Sequence, residues 1–509
     1  MSLIPLFEHA VGHRNATAVI DDSGQYSYRE LLNLSSGIAA GLLAGSVDLA
    51  EQRIAFLFPP GVGYVSALWG IWRAGGVAVP LGLTHPTPEL EYVLDDTEAS
   101  TLLVDTSLID RVSQLAQDRG LRLLHSNDHA LQASTLDLPD LSIDRRAMIL
   151  YTSGTTSRPK GVVSTHANIQ AQVESLVAAW QWTENDHILH ALPLHHIHGI
   201  INVLTCSLWA GAKCEILPQF DSARVWERIA QGGLTLFMAV PTIYSKLIAA
   251  WADTSAPRQA AMSFGCTAMR LMVSGSAALP VTTLERWHTI SGHVLLERYG
   301  MTEIGMALSN PLTGERVPGH VGMPLPNVEV RRLNEQGSPA SDDQPAELEV
   351  RGPTVFQKYW NQPEATAKAF RDDWFRTGDV TVVQNGVYRI LGRNSVDIIK
   401  TGGYKVSALE IEEVLRTHPD IQECAVVGID DPEWGQRVAA CLVLTGTAEM
   451  SLETLRQWTK ERLASYKVPS CLKTVDALPR NAMGKVQKPV IVRLFPETTD
   501  DSSVRSEKI

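Results

Sequence analysis

The chain has 509 residues, too many for one hydrophobic core, and about 150 residues per domain sets a prior of about three units. Its hydrophobic content of 44% and charged content of 20% are those of an ordinary globular protein. The net charge of −12, from 44 basic against 56 acidic residues, argues against a nucleic-acid-binding face and against adsorption to anionic lipid. A small-molecule substrate is the default expectation.

The N-terminal "MSLIPLFEHA" has no basic n-region and no long apolar core, so no signal peptide is expected and the cytoplasm is the expected compartment. From 18 to about 240, short β-branched runs alternate with longer helical patterns. "RIAFLF" (53–58) is followed by "GVGYVSALWGIWRAG" and "VAVPL", and "STLLVD" (100–105) by "TSLIDRVSQLAQDRG" and "LRLLHS". This is the rhythm of α/β layers on a mostly parallel sheet. The most hydrophobic window, "VGYVSALWGIWRAGGVAVPLGL", carries an arginine and several glycines, and reads as a buried helix–strand junction, with no stable membrane insertion. "AMILYTSGTT" then places a glycine- and hydroxyl-rich loop directly after an apolar strand, where open α/β sheets bind phosphate.

After 315 the texture becomes β- and turn-rich, with "VTVVQNGVYRILGR" predicted as a hairpin turning at Asn385-Gly386. Beyond Arg393 a shorter α+β pattern begins. "SALEIEEVLRTHP" and "SLETLRQWTKERLASY" are predicted helices, the second capped by Ser451, and "IQECAVVGI" and "RVAACLVL" alternate like strands. Two domains are therefore expected, 1–392 and 393–509. No two of Cys206, Cys214, Cys266, Cys424, Cys441 and Cys471 stand in a C-x-x-C pair, which leaves them as small core residues.

Four stretches carry chemistry. In "YTSGTTSRPKG" (151–161) backbone N–H groups and the hydroxyls of Ser153, Thr155 and Thr156 can wrap an anion, and Lys160 adds charge; the loop is not a Walker loop, since Gly161 and Val162 follow the lysine. In "ERYGMTE" (297–303) Tyr299 can stack on a base, Thr302 can bond a phosphate and Glu303 can ligate Mg²⁺. "WFRTGDV" (374–380) offers Asp379 to ribose hydroxyls, and "LPRNAMGKVQK" (478–488) places Lys485 on a glycine turn. Each also has a plainer reading: a solvated turn, a buried tyrosine, a capping aspartate, a surface lysine. Their joint occurrence in one order is what gives them weight.

With "GRNSVDIIKTGGYKVSALEIE" added, these blocks resemble the adenylate-forming superfamily of acyl-CoA synthetases, nonribosomal adenylation domains and luciferases, over nearly the whole chain. The resemblance implies an α/β fold: a large N-terminal domain of α/β layers with a β-rich subdomain, and a small mobile α+β C-terminal domain. It implies ATP, Mg²⁺ and coenzyme A as co-substrates and metal. The ATP-binding positions it implies are Thr152, Ser153, Gly154, Thr155, Thr156, Lys160, Tyr299, Gly300, Met301, Asp379 and Arg393. Thr302, Glu303 and Lys485 take catalytic roles, Glu303 as the metal ligand, and Lys400, Gly402, Gly403 and Tyr404 meet coenzyme A. A hinge is implied two residues after Arg393, where an Asp or Lys is usual and Ser395 stands here.

The acid is addressed by "SNPLTGERVPGHVGMPLPNVE" (309–329). Arg316, 13 residues after Glu303, suits a dicarboxylic acid better than a fatty acid, because an unpaired buried guanidinium is expensive. Taken alone, an exposed loop arginine or one paired with Glu315 is the plainer reading. Together with "SGSAALP" and "LLERYGMTE" the stretch resembles the malonyl-CoA synthetase branch. That implies Arg316 at the distal carboxylate, His198 and Ser276 beside the acyl chain, and Met306 limiting a 2-substituent, with methylmalonate as a second substrate. The competing readings are a medium- or long-chain fatty acyl-CoA synthetase, a carrier-protein-loading adenylation enzyme, and a non-catalytic nucleotide-binding protein. Lys485 stands in a context that, in related synthetases, is acylated reversibly by a lysine acyltransferase.

Overall fold

The computed structural model describes residues 4–128, 138–152, 159–480 and 485–495. Its contacts divide the chain into two compact units: Met1–Leu279 with Thr283–Val330 and Val350–Phe375, and Pro280–Thr282 with Arg331–Glu349 and Arg376–Ile509.

The larger unit holds two sheets. The nine-stranded sheet runs, edge to edge, through Met323–Pro324, Gly305–Ser309, Leu296–Met301, Leu271–Ser274, Leu236–Ala239, His187–His190, Lys213–Ile216, Thr17–Asp21 and Gly24–Ser27. The strands from Leu296–Met301 to Thr17–Asp21 pair in parallel, with antiparallel strands at both ends. The seven-stranded sheet runs Lys358–Tyr359, Lys160–Thr165, Arg146–Thr152, Val77–Pro80, Arg53–Leu57, Thr101–Val104 and Arg122–His125. The α/β rhythm is thus borne out. The hydrophobic window becomes helix Val62–Arg73 and strand Val77–Pro80, both buried along nearly their whole length. Among the described residues no helix is long and apolar enough to cross a membrane.

The smaller unit has a sheet ordered Tyr404–Ser407, Ile398–Thr401, Gly435–Leu444 and Ile421–Asp431, with Cys471–Thr474 alongside Gly435–Leu444. Strand alternation gives it two apolar faces. Cys424 and Val426 pack with Ile399, Ile411 and Leu455, while Ala425, Val427 and Ile429 pack with Ile491 and Phe495. Ser407 caps helix Ala408–Leu415 and Ser451 caps helix Leu452–Lys460, each side chain accepting a backbone N–H. The second helix ends before the predicted stretch does, because the N–H groups of Arg462 and Leu463 both return to the carbonyl of Thr459 and tighten the last turn. The hairpin turn falls at Asn385 and Gly386, with φ +52 and +80, the left-handed pair that a two-residue turn matching strand twist requires. Five of the six cysteines are buried and Cys471 is half-buried; all are free thiols.

Candidate active site

The parallel strands His187–His190, Leu236–Ala239, Leu271–Ser274 and Leu296–Met301 end side by side, Ala239 opposite Ser274 and Ser274 opposite Glu297. That carboxyl edge is where open α/β sheets bind ligands. Arg298 stands there 2% exposed, after buried Leu296 and Glu297 and before half-buried Tyr299, Gly300 and Met301. Its Nε and Nη2 find no protein partner, and among the described residues no carboxylate pairs with it. The backbone leaves it room only because Gly275 has no side chain: a Cβ there would lie 2.4 Å from the guanidinium carbon.

Around this cation stand neutral imidazoles. His198 opens a helical segment, His198–Thr205, wound wider than an α-helix, a form frequent at functional sites. Its Nδ1 is 3.2 Å from the hydroxyl of Ser276. Burial first, then the charge of Arg298 and the neighbouring His190 and His196, holds the His198 imidazole well below its ordinary pKa. Burial likewise brings His190 and His196 down to about 4. The Nε2 atoms of His190, His196 and His198 and the hydroxyl of Ser274 lack protein partners. Burial draws Arg298 itself down to about 9, so it stays charged at neutral pH. This carboxyl edge therefore gathers a buried cation, neutral imidazoles and a hydroxyl whose hydrogen-bonding capacity is unspent within the protein. Ser276 is held at φ +70, a conformation costly for a residue with a side chain and concentrated at functional sites.

Arg316, expected at the acid, spends its donors on backbone carbonyls. Its Nε donates to the carbonyl of Pro311, Nη2 to Leu312 and Nη1 to Val294, and its charge bears on His293. His198 and Ser276 are brought together with Arg298 instead. Arg298 lay inside the quoted block "ERYGMTE"; the signal that could have singled it out is a pair of adjacent charges, Glu297 and Arg298, directly after the apolar run "VLL".

Beyond Arg298 the strand makes a tight turn through Thr302–Ile304 and returns as Gly305–Ser309. Gly300 is obligatory in it, since a Cβ would lie 2.1 Å from the carbonyl oxygen of Gly305 and 2.5 Å from the methyl of Met306. Tyr299, Met301, Thr302 and Glu303 are half-buried and Met306 is buried against the turn. Glu303 is fixed by the phenol of Tyr359, which donates to its Oε1 at 2.9 Å. Among the described residues no three His, Cys, Asp or Glu side chains group to hold a metal. A single presented carboxylate fits Mg²⁺, which is bound through one or two carboxylates together with substrate phosphates and water.

Thr152 and Lys160 face each other at the end of the antiparallel pair Arg146–Thr152 and Lys160–Thr165. Ser153, Gly154, Thr155 and Thr156 lie outside the described residues. The ammonium of Lys160 sits over the ring of Tyr359, 4.8 Å from its centroid, on the wall of a groove of about 710 Å³.

In the smaller unit Asp379 and Arg393 face each other across the hairpin, Arg393 Nε donating to Asp379 Oδ1 at 3.2 Å. The Lys485 ammonium lies within their field and that of Asp397. Desolvation, with Arg393 next, lowers its pKa, against the raising influence of Asp379 and Asp397. Lys485 is nonetheless solvent-exposed as a residue. Thr401 and Tyr404 flank the turn Gly402-Gly403, whose φ values of +54 and +83 again demand glycine, and Lys400 stands one residue back, opposite Lys405. Tyr404, 55% exposed, stacks on Tyr466 with centroids 4.2 Å apart.

A hydroxyl–carboxylate turn after a core strand in the larger unit, and an aspartate–arginine pair bearing on a lysine in the smaller one, are features that the adenylate-forming class of nucleotide-using enzymes would need. Residues 6–360 match the family of AMP-binding enzymes and residues 410–485 the AMP-binding enzyme C-terminal domain, and the chain belongs to this family. It is 47% identical to the Mus musculus protein named malonate–CoA ligase ACSF3, mitochondrial, over 97% of this chain and 91% of that one. To the malonate–CoA ligase of Arabidopsis thaliana it is 39% identical over 95% and 86% of the two chains. The crystal structure of ATP-bound MatB from Rhodopseudomonas palustris superposes with a TM-score of 0.89 at 34% identity, covering 97% of this chain and 99% of that chain.

Proposed function

We propose that the protein is an AMP-forming acid:CoA ligase that converts malonate to malonyl-CoA, with methylmalonate as a second substrate. The observation that carries the choice of acid is the buried, unpartnered Arg298 amid His190, His196, His198 and Ser274. An uncompensated buried charge costs several kcal/mol, and the distal carboxylate of a dicarboxylic acid removes that cost through charge-assisted hydrogen bonds. A fatty acid offers no such anion, which disfavours the medium- and long-chain reading, and a carrier-protein loader of monoacids has the same difficulty. In this reading Arg298 takes the distal carboxylate and His198 and Ser276 flank it. Met306 limits the 2-substituent, while Arg316 ties the 311–316 loop to Val294.

The first half-reaction forms a bond between a carboxylate oxygen and the α-phosphorus of ATP and breaks the bond to pyrophosphate. An anion attacks a polyanion, so the protein's work is positioning and charge neutralisation. Thr152, Ser153, Gly154, Thr155, Thr156 and Lys160 hold the departing β- and γ-phosphates, and Tyr299, Gly300, Met301 and Thr302 line the adenine and α-phosphate. Asp379 and Arg393 hold the ribose. Mg²⁺, carried by Glu303, offsets phosphate charge when bound. Lys485 neutralises the oxygens of the reacting carboxylate and α-phosphate. In the second half-reaction the thiol of coenzyme A, met by Lys400, Gly402, Gly403 and Tyr404, forms the thioester and AMP leaves.

The functional domains are 1–392 and 393–509, pivoting at Ser395, which is exposed in the turn between Arg393 and Asp397. Exposure of Lys485 also suits it to a lysine acyltransferase, which would remove the charge and silence the first half-reaction. The expected compartment, the cytoplasm, stands beside vertebrate relatives named as mitochondrial. Chromatography of the nucleotides formed with malonate, Mg²⁺ and coenzyme A tests the reaction class. AMP and pyrophosphate should appear in step with malonyl-CoA; ADP and phosphate in their place would contradict it.

A further inference from the structure

Three residues after Lys485 stands a second lysine that the proposed reaction does not use. Lys488 begins the short helix Lys488–Val492 and is 8% exposed. Its Nζ lies 2.6 Å from Asp397 Oδ1 and 2.8 Å from Glu412 Oε1. Both acids are anchored a second time. The other oxygen of Asp397 accepts the backbone N–H of Arg393 at 3.0 Å. Glu412, 3% exposed, accepts the N–H of Val426 at 2.9 Å and a bond from Arg416 at 3.1 Å. The approach of Asp397 to this turn depends on Gly392, where a Cβ would lie 2.3 Å from that of Asp397.

A cation buried so deeply costs free energy that a hydrophobic residue would not, and such pairs are weak devices for stability. They are good devices for fixing a register, and this one ties two segments far apart in sequence: the one that carries Lys485 and the turn that carries Arg393. We propose that Lys488 is a positioning residue for adenylate formation, clamping the Lys485 segment to the Arg393 turn through Asp397 and Glu412. Its fixed charge also shapes the field at Lys485. The groups facing that ammonium are Arg393 and Lys488, which disfavour its charge, and Asp379 and Asp397, which favour it. Removing the charge of Lys488 therefore raises the pKa of Lys485, and the alkaline limb of adenylation, where Lys485 loses its proton, moves to higher pH.

The inference rests on Lys485 acting in the first half-reaction, so Lys485→Met is measured beside it. The measurements are malonate-dependent ATP–pyrophosphate exchange against pH, and thioester formation from supplied malonyl-adenylate. Lys488→Met should lower the exchange kcat about 10- to 100-fold with the KM for ATP nearly unchanged, as expected for loss of a transition-state contact. The alkaline limb should move upward, supplied malonyl-adenylate should still be used, and Lys488→Arg should restore much of the rate. Lys488→Met/Glu412→Gln, which leaves no second buried charge stranded at Glu412, should show the same pattern if the single variant folds poorly. Full exchange activity in Lys488→Met or in Lys488→Met/Glu412→Gln, or an equal loss in both half-reactions without a pH shift, would overturn the inference. An active Lys485→Met would instead overturn the reading beneath it.

Discussion

Lys485→Met is expected to lower malonyl-adenylate formation by about 10²–10³-fold or more, the scale of a charge-assisted contact made in a transition state. Use of supplied malonyl-adenylate and coenzyme A should fall by no more than about threefold, since uniform damage would mark a folding or binding loss. The asymmetry follows from charge. Only the first half-reaction brings a carboxylate against a triphosphate, and only there is an ammonium beside both groups worth several kcal/mol. Desolvation and Arg393 lower the pKa of Lys485, so the protonated form that the step requires is lost below the ordinary lysine range. Adenylation should decline at an alkaline pH where thioester formation persists.

The second large effect is expected at Arg298. Arg298→Met should lower kcat/KM for malonate by about 10²-fold or more, because an interaction of several kcal/mol with the distal carboxylate disappears. Stability should hold or rise, since a well-packed apolar side chain in place of an uncompensated buried guanidinium is often neutral or stabilising. Relative preference should move toward unbranched monoacids. Arg316→Met is the informative contrast. It strands the carbonyls of Val294, Pro311 and Leu312, so its main effect should be on thermal stability. If Arg316→Met abolished malonate turnover in a folded protein while Arg298→Met left it intact, the two roles would have to be exchanged.

Turn chemistry and local pattern made most of the scaffold legible. Asn385-Gly386, Gly402-Gly403, the serine caps at 407 and 451 and the strand before Thr152 all announce themselves within a few residues, because the backbone conformations they adopt are local properties. The blocks proposed to carry the chemistry were legible for a different reason: phosphate and carboxylate chemistry limits the residue types that can serve it. What the sequence did not disclose was which charged side chains have spent their hydrogen bonds. Arg316 looked available and is filled by three carbonyls. Arg298 looked like part of a strand and is unsatisfied. Both facts depend on segments brought together from residues 190, 198, 274–276 and 294–312. Lys488 was hidden similarly: three residues after Lys485, its charge reads as surface until Asp397 and Glu412 close around it.

The central claim, that the site is built for a short dicarboxylic acid, is tested most directly by pyrophosphate release with ATP, Mg²⁺ and coenzyme A across malonate, methylmalonate, acetate and octanoate. Malonate should give the highest kcat/KM, methylmalonate should follow, and acetate and octanoate should be poor. Octanoate outperforming malonate would contradict the account.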